Sequence, residues 1–208
     1  MRTALLHLDS ALTGQRELAR SVSGRGGRAV DLRRLGPALR LWSRPRALER
    51  LRARVASDLP ASEGATLVFS GSGDFHHITP TLLDRACEAA GRPPVTVLHF
   101  DNHPDWVRFA NGAHCGSWVG CAARLPNVAR VVTVGVCSDD IDRPETKRAD
   151  LDLLSEERLE LYPYSAPRGG ASVSLAGREW PTIEAMGEAA FIEFLPTRIP
   201  TSAVYLTI

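Results

Sequence analysis

The chain has 208 residues, with 25 Lys and Arg against 24 Asp and Glu, a formal net charge of +1. A hydrophobic fraction of 44% beside a charged fraction of 24% excludes a disordered chain, a collagen-like repeat and a disulfide scaffold, and leaves enough apolar material for a sizeable core. The near-neutral balance argues against nucleic acid as a partner, and no segment approaches the ~18 apolar residues that a membrane helix needs.

In chain order, Thr3 to Leu8 reads as a first strand and Arg28 to Leu32 as a second. An Arg-rich stretch runs from Arg25 to Arg54, where elsewhere arginines and acids are interspersed. Ala47, Leu48, Leu51, Val55 and Leu59 recur at helical spacing after Pro45, which predicts a helix over 45–59. The apolar run 65–70 predicts a buried strand that ends in the turn Gly71-Ser72-Gly73-Asp74. Thr79 reads as an N-cap with Pro80 at the first helical position and Gly91 closing the helix. Pro94 to Phe100 is the next strand, 116–124 a short helix, and 128–136 the clearest buried strand. A helix is predicted over 149–160, a loop over 163–170, a short strand over 172–175, a helix over 182–194 and a final strand over 203–208. Strands alternating with helices predict an α/β fold with a parallel sheet. The four cysteines, Cys87, Cys115, Cys121 and Cys137, form no Cys-x-x-Cys pair, which fits a reduced, cytoplasmic protein.

The residues that carry chemistry follow predicted strands, the edge at which open α/β sheets bind ligands. Asp101-Asn102-His103-Pro104-Asp105 places two carboxylates and an imidazole within five residues. Such groups repel or dehydrate at a cost unless a cation sits among them, and oxygen with imidazole suits Mn²⁺, Fe²⁺ or Zn²⁺. The preceding strand ends in Gly73-Asp74-Phe75-His76-His77, a possible source of one more nitrogen ligand. His114, in Gly112-Ala113-His114-Cys115-Gly116-Ser117, is a candidate proton shuttle, with capping of the next helix as its plain alternative. Cys115 has no organised base beside it, and Asp139, Asp140 and Asp142 read as a solvated acidic loop, with an acid-rich mouth that favours a cationic substrate as the alternative.

Taken together, Gly73-Asp74-Phe75-His76, Asp101-Asn102-His103-Pro104-Asp105 and His114-Cys115-Gly116-Ser117 resemble the ordered motifs of the ureohydrolases, the arginase and agmatinase family. Order and approximate spacing agree over 65–136, and 204–208 resembles the strand before that family's last motif. The resemblance implies a single three-layer α/β domain over 1–208, with a mostly parallel sheet flanked by helices and the last strands missing. It implies a binuclear manganese site held by His76, Asp101, His103 and Asp105, with Asp101 bridging, and His77 as the second choice for the first histidine. It implies that Asp105 orients the attacking oxygen and that His114 passes the proton. The expected activity is hydrolysis of a guanidino C–N bond in a small substrate, with a possible homo-oligomer as the assembly. The family's final Asp-x-Asp pair and a later Glu have no counterpart before Ile208, so the reading expects a C-terminally truncated domain with impaired turnover. A non-catalytic remnant that keeps a partial metal site is the alternative, and a deacetylase-like zinc hydrolase is a third reading.

Overall fold

The computed structural model describes residues 1–59 and 64–208. In chain order its elements are β1 (Arg2–His7), α1 (Arg16–Gly24), β2 (Arg28–Asp31), α2 (Gly36–Leu39), β3 (Trp42–Ser43), α3 (Pro45–Asp58), β4 (Thr66–Phe69), α4 (Thr79–Ala89) and β5 (Val95–Phe100). They continue with β6 (Ala113–His114), α5 (Trp118–Ala123), β7 (Val128–Val136), α6 (Asp152–Ser155), β8 (Leu159–Pro163), β9 (Ser172–Leu175), β10 (Arg178–Pro181), α7 (Ile183–Met186), α8 (Glu188–Phe194) and β11 (Ala203–Thr207). The chain forms two compact units: residues 1–92 with 109–118, and residues 93–108 with 119–208. Both are α/β units built on a parallel sheet with helices packed on it.

In the first unit the sheet order is β2-β1-β4, all parallel. Successive residues of β1 face opposite sides, as a pleated strand requires. Leu6 points into a cluster with Leu51, Val55, Phe75 and Ile78, whereas Leu5 packs with Leu12 and Val22 on the other side. α3 begins at Pro45, whose missing N–H costs nothing in a first turn, and it buries Leu51 and Val55 one turn apart. Each such side chain contributes about 1.5–3 kcal/mol on burial. α4 closes as expected, with Gly91 at φ +77 and the Arg92 N–H donating to the Cys87 carbonyl at 2.6 Å. Its start differs from the expectation. Residues Gly73–Ile78 already form a 3-10 helix, so Thr79 is not an N-cap acceptor, and its hydroxyl instead donates to the His76 carbonyl at 2.7 Å.

The small antiparallel pair β3–β6 holds the 109–118 segment within this unit, with Trp42 opposite His114 and Ser43 opposite Ala113. Gly112 makes that approach feasible. It sits at φ +127, and a Cβ there would stand 1.9 Å from the Ser43 carbonyl oxygen.

The second unit carries the sheet order β11-β5-β7-β8, again parallel throughout. Leu98, Val132, Val134 and Tyr162 on one face pack against Ile183 and Phe191 from α7 and α8. The expected helix over 149–160 is replaced by the single turn of α6 and the fully buried strand β8. The reason is tertiary. Glu160, which looks like a surface residue of a helix, is 2% exposed and ion-paired with Arg130 of β7 and Arg198. The hydroxyl of Tyr162 also donates to it at 3.0 Å. The expected helix over 182–194 is two short helices broken at Gly187, φ +82, with the Thr182 hydroxyl capping the first by accepting from Ala185 N–H. β9 and β10 form an antiparallel hairpin, of which only the first strand was expected. Among the described residues no helix is long and apolar enough to cross a membrane.

Candidate metal centre

The acidic motif leaves the end of β5. The Asp101 N–H donates to the Val134 carbonyl at 3.2 Å, carrying the β5–β7 ladder one residue past the strand. Asp101 Oδ1 accepts the His103 N–H at 3.0 Å, an Asx-turn that bends the chain out of the sheet. Asn102 ties the turn down, its carbonyl accepting from the N–H groups of Cys137 and Ser138 at 3.2 and 3.1 Å. Asp105 adopts φ +49, a left-handed conformation that aspartate tolerates better than most side chains, and its carbonyl accepts from Val119 N–H at 3.1 Å.

Three side chains converge there. His99, Asp101 and Asp105 each bring one ligand atom, and these atoms lie within 4.8 Å of one another. His99 Nε2 stands 3.4 Å from Asp101 Oδ2 and 3.8 Å from Asp105 Oδ2. His99 is fully buried and Asp105 is 6% exposed. Ligand atoms about 2.1 Å from one ion stand roughly 3–4 Å apart, so the observed spacing suits a single divalent cation. The donor set, one imidazole nitrogen with carboxylate oxygens, suits Mn²⁺, Fe²⁺ or Zn²⁺. The other ring nitrogen of His99 is held by Thr133, whose hydroxyl lies 3.2 Å from Nδ1. The β5–β7 register creates that contact by pairing His99 directly with Thr133.

His99 was not among the expected ligands. It lies two residues before Asp101, and in an extended chain positions i and i+2 share one face, so the signal was present. His103 takes a different position from the three. Its side chain is 56% exposed, with Nδ1 3.6 Å from Asp101 Oδ1.

In the first unit, the Gly73–Ile78 turn separates the two histidines. His76 is half-buried, its ring 4.9 Å from the Trp118 ring. His77 is 1% exposed, with Nδ1 3.6 Å from Cys115 Sγ. Burial lowers the His77 pKa to about 4; the Leu39 carbonyl opposes this, and His114 and His76 add to it. The Cys115 thiol donates to the Asp74 carbonyl at 3.3 Å, and His77 Nδ1 is a ring nitrogen beside it that the sequence reading did not place there. His114 caps the next turn: its Nδ1 accepts the Gly116 N–H at 3.0 Å, and its own N–H donates to Ser117 Oγ at 2.9 Å. Burial pushes its pKa down. With Nδ1 occupied as an acceptor, the neutral ring carries its proton on Nε2. The acids after β7 are paired: Lys147 stands 3.6 and 3.4 Å from Asp139 and Asp140, and Arg168 donates to Asp142 at 3.1 Å.

No family model matches the chain. A Thermotoga maritima protein described only as an uncharacterized protein is 35% identical to it over 77 residues. That stretch is 37% of this chain and 29% of the relative. The chain thus spans less than a third of the length of the relative it matches.

Proposed function

We propose that the chain carries a ureohydrolase-like centre for metal-dependent hydrolysis of a guanidino C–N bond. The observation that carries the reading is the convergence of His99, Asp101 and Asp105 at the end of β5, with His99 buried and fixed from behind by Thr133. The motif resemblance supplies His76 and His103 as further ligands, arginase-like architecture as the finer fold, and manganese as the metal. When bound, a divalent ion supplies Lewis acidity and makes hydroxide available near neutral pH. The residues of the chain do the rest. The carboxylates of Asp101 and Asp105 attract a cationic guanidinium, and Asp105 accepts a hydrogen bond from the attacking water and so orients it. His114 hands a proton to the departing amine, which requires its ring to give up the Gly116 bond when it is protonated at Nδ1. The products are urea and an amine. The four free thiols support a reducing compartment, which we take to be the cytoplasm.

A second reading, a metal-holding module without turnover, is favoured by the capping bond that occupies His114. One experiment separates the two. The purified 208-residue chain is loaded with Mn²⁺, dialysed, assayed for bound metal, and tested for urea release from arginine, agmatine and other guanidino compounds. Retained manganese with urea release supports the hydrolase, and retained manganese with none supports the module. A chain that retains no metal overturns both.

A further inference from the structure

We propose that the first unit holds a separate binding site for a small phosphorylated ligand with a planar ring, of mononucleotide class, in the arginine-lined cleft beside Trp42. The cleft has a volume of about 400 Å³ and is lined by Arg40, Arg44, Arg46, Arg50 and Trp42. That is within the usual range for small-molecule sites.

Three observations on the first unit converge. The charge there is local and unbalanced. Between residues 40 and 54 six arginines face one acid, Glu49, in a chain whose net charge is only +1. Arg40, Arg52 and Arg54 have carboxylate partners in Asp74, Asp84 and Asp58, but among the described residues Arg44, Arg46 and Arg50 form no ion pair. Unpaired guanidinium groups on one surface repel, and a phosphate relieves that repulsion by accepting bidentate hydrogen bonds from their planar forks.

The second observation is the start of α3. Arg44 is its N-cap, no side chain caps it, and no acid stands in its first turn. The positive end of a fourteen-residue helix thus adds to the arginines instead of being satisfied within the chain.

The third is the aromatic wall. Trp42 is 48% exposed, an unusual state for a tryptophan, and the backbone just before it is pinned. The residue before it, Leu41, is held in the left-handed region at φ +64, a strained conformation for leucine. Two backbone bonds hold it there: its N–H donates to the Asp74 carbonyl at 2.8 Å and its carbonyl accepts from Cys115 N–H at 3.0 Å. The Arg44 guanidinium lies 5.9 Å from the Trp42 ring centroid, so charge and aromatic face already meet on one wall. Trp42 also borders a second hollow with Leu41, Phe109 and His114. A phosphate seated among the arginines leaves its attached ring against the indole, where stacking is tolerant of ring identity.

The test is equilibrium dialysis and tryptophan fluorescence of the full chain with adenosine 5′-monophosphate, beside adenosine, inorganic phosphate and a single-stranded oligonucleotide. The expected result is saturable binding of one nucleotide per chain that weakens with added salt. Affinity falls at least about tenfold in Arg44→Ala, in Arg50→Ala and in Trp42→Ala, and is unchanged in Arg54→Ala, whose guanidinium pairs with Asp58. Circular dichroism shows whether each variant is folded, and the salt dependence of the unmodified chain provides a test independent of any substitution. Absence of saturable binding overturns the proposal, as do equal affinity for adenosine or inorganic phosphate, affinity indifferent to these substitutions or to salt, and binding of the oligonucleotide alone.

Discussion

His99 Nε2 lies 3.4 Å from Asp101 Oδ2, and the same imidazole is held from behind by Thr133 at 3.2 Å. A ring nitrogen aimed at carboxylates while its partner nitrogen is anchored by a hydroxyl is the arrangement that orients a metal-binding histidine. Thr133→Val keeps the side-chain volume and removes the anchor. Manganese affinity, read by competition with a chelating dye, is expected to fall roughly 10–100-fold in this variant while the fold persists. Unchanged affinity would separate Thr133 from the centre.

Asp101→Asn removes one of the two carboxylate charges that the cluster places near His99, whereas Cys115→Ala removes a thiol already committed to backbone carbonyls. The first variant is expected to lose manganese on dialysis and the second to retain it as the unmodified chain does. Elemental analysis of both after identical dialysis reads the difference, and equal retention counts against the ligand assignment.

Glu160 predicts a pH dependence of stability. Burial alone raises its carboxyl pKa, but the hydrogen bond from Arg198, the charge of Arg130 and the hydroxyl of Tyr162 outweigh burial and hold it below the ordinary glutamate value. A depressed carboxyl pKa adds stability that is complete above the unfolded value of about 4.3 and is lost as pH falls through the folded value. Glu160→Gln leaves two arginines without their shared partner, so it is expected to cost about 3 kcal/mol at pH 7. The gap between the two proteins should narrow steadily once the pH drops below about 4. Urea unfolding at a series of pH values measures it, and a gap that stays constant into acid contradicts the pairing.

Gly112→Ala puts a methyl group where the Ser43 carbonyl stands and forces alanine to φ +127. The expected result is loss of the β3–β6 pairing, with a stability loss of about 2 kcal/mol or more. Hydrogen exchange at Cys115, whose N–H donates across to the Leu41 carbonyl at 3.0 Å, reports the pairing directly, and protection equal to that of the unmodified chain would refute it.

The sequence was most legible where local pattern and tertiary environment agree. The run of β-branched residues at 128–136 is β7 residue for residue, and Pro45 with the spacing of Leu51 and Val55 marks α3. It misled where a charged residue is buried. Glu160 lends 149–160 a helical look, yet the two arginines that neutralise it lie 30 and 38 positions away, beyond any local pattern. At the site, Asp101 and Asp105 were legible because carboxylates so close together need a reason. His99 was overlooked because an imidazole inside an apolar strand reads as part of the core, although its place two residues before Asp101 puts it on the same face. The register that sets Thr133 beside it depends on pairing between distant segments.

The order β11-β5-β7-β8 has a consequence for how the second unit is made. β5 pairs on one side with β7 and on the other with β11, whose Ala203 lies opposite Val95. During synthesis one flank of β5 therefore waits bare while more than a hundred further residues leave the ribosome. A newborn chain in that condition offers a sticky backbone edge to any neighbour, so its yield should rise when translation is slowed by cooling or when a chaperone shields the waiting strand.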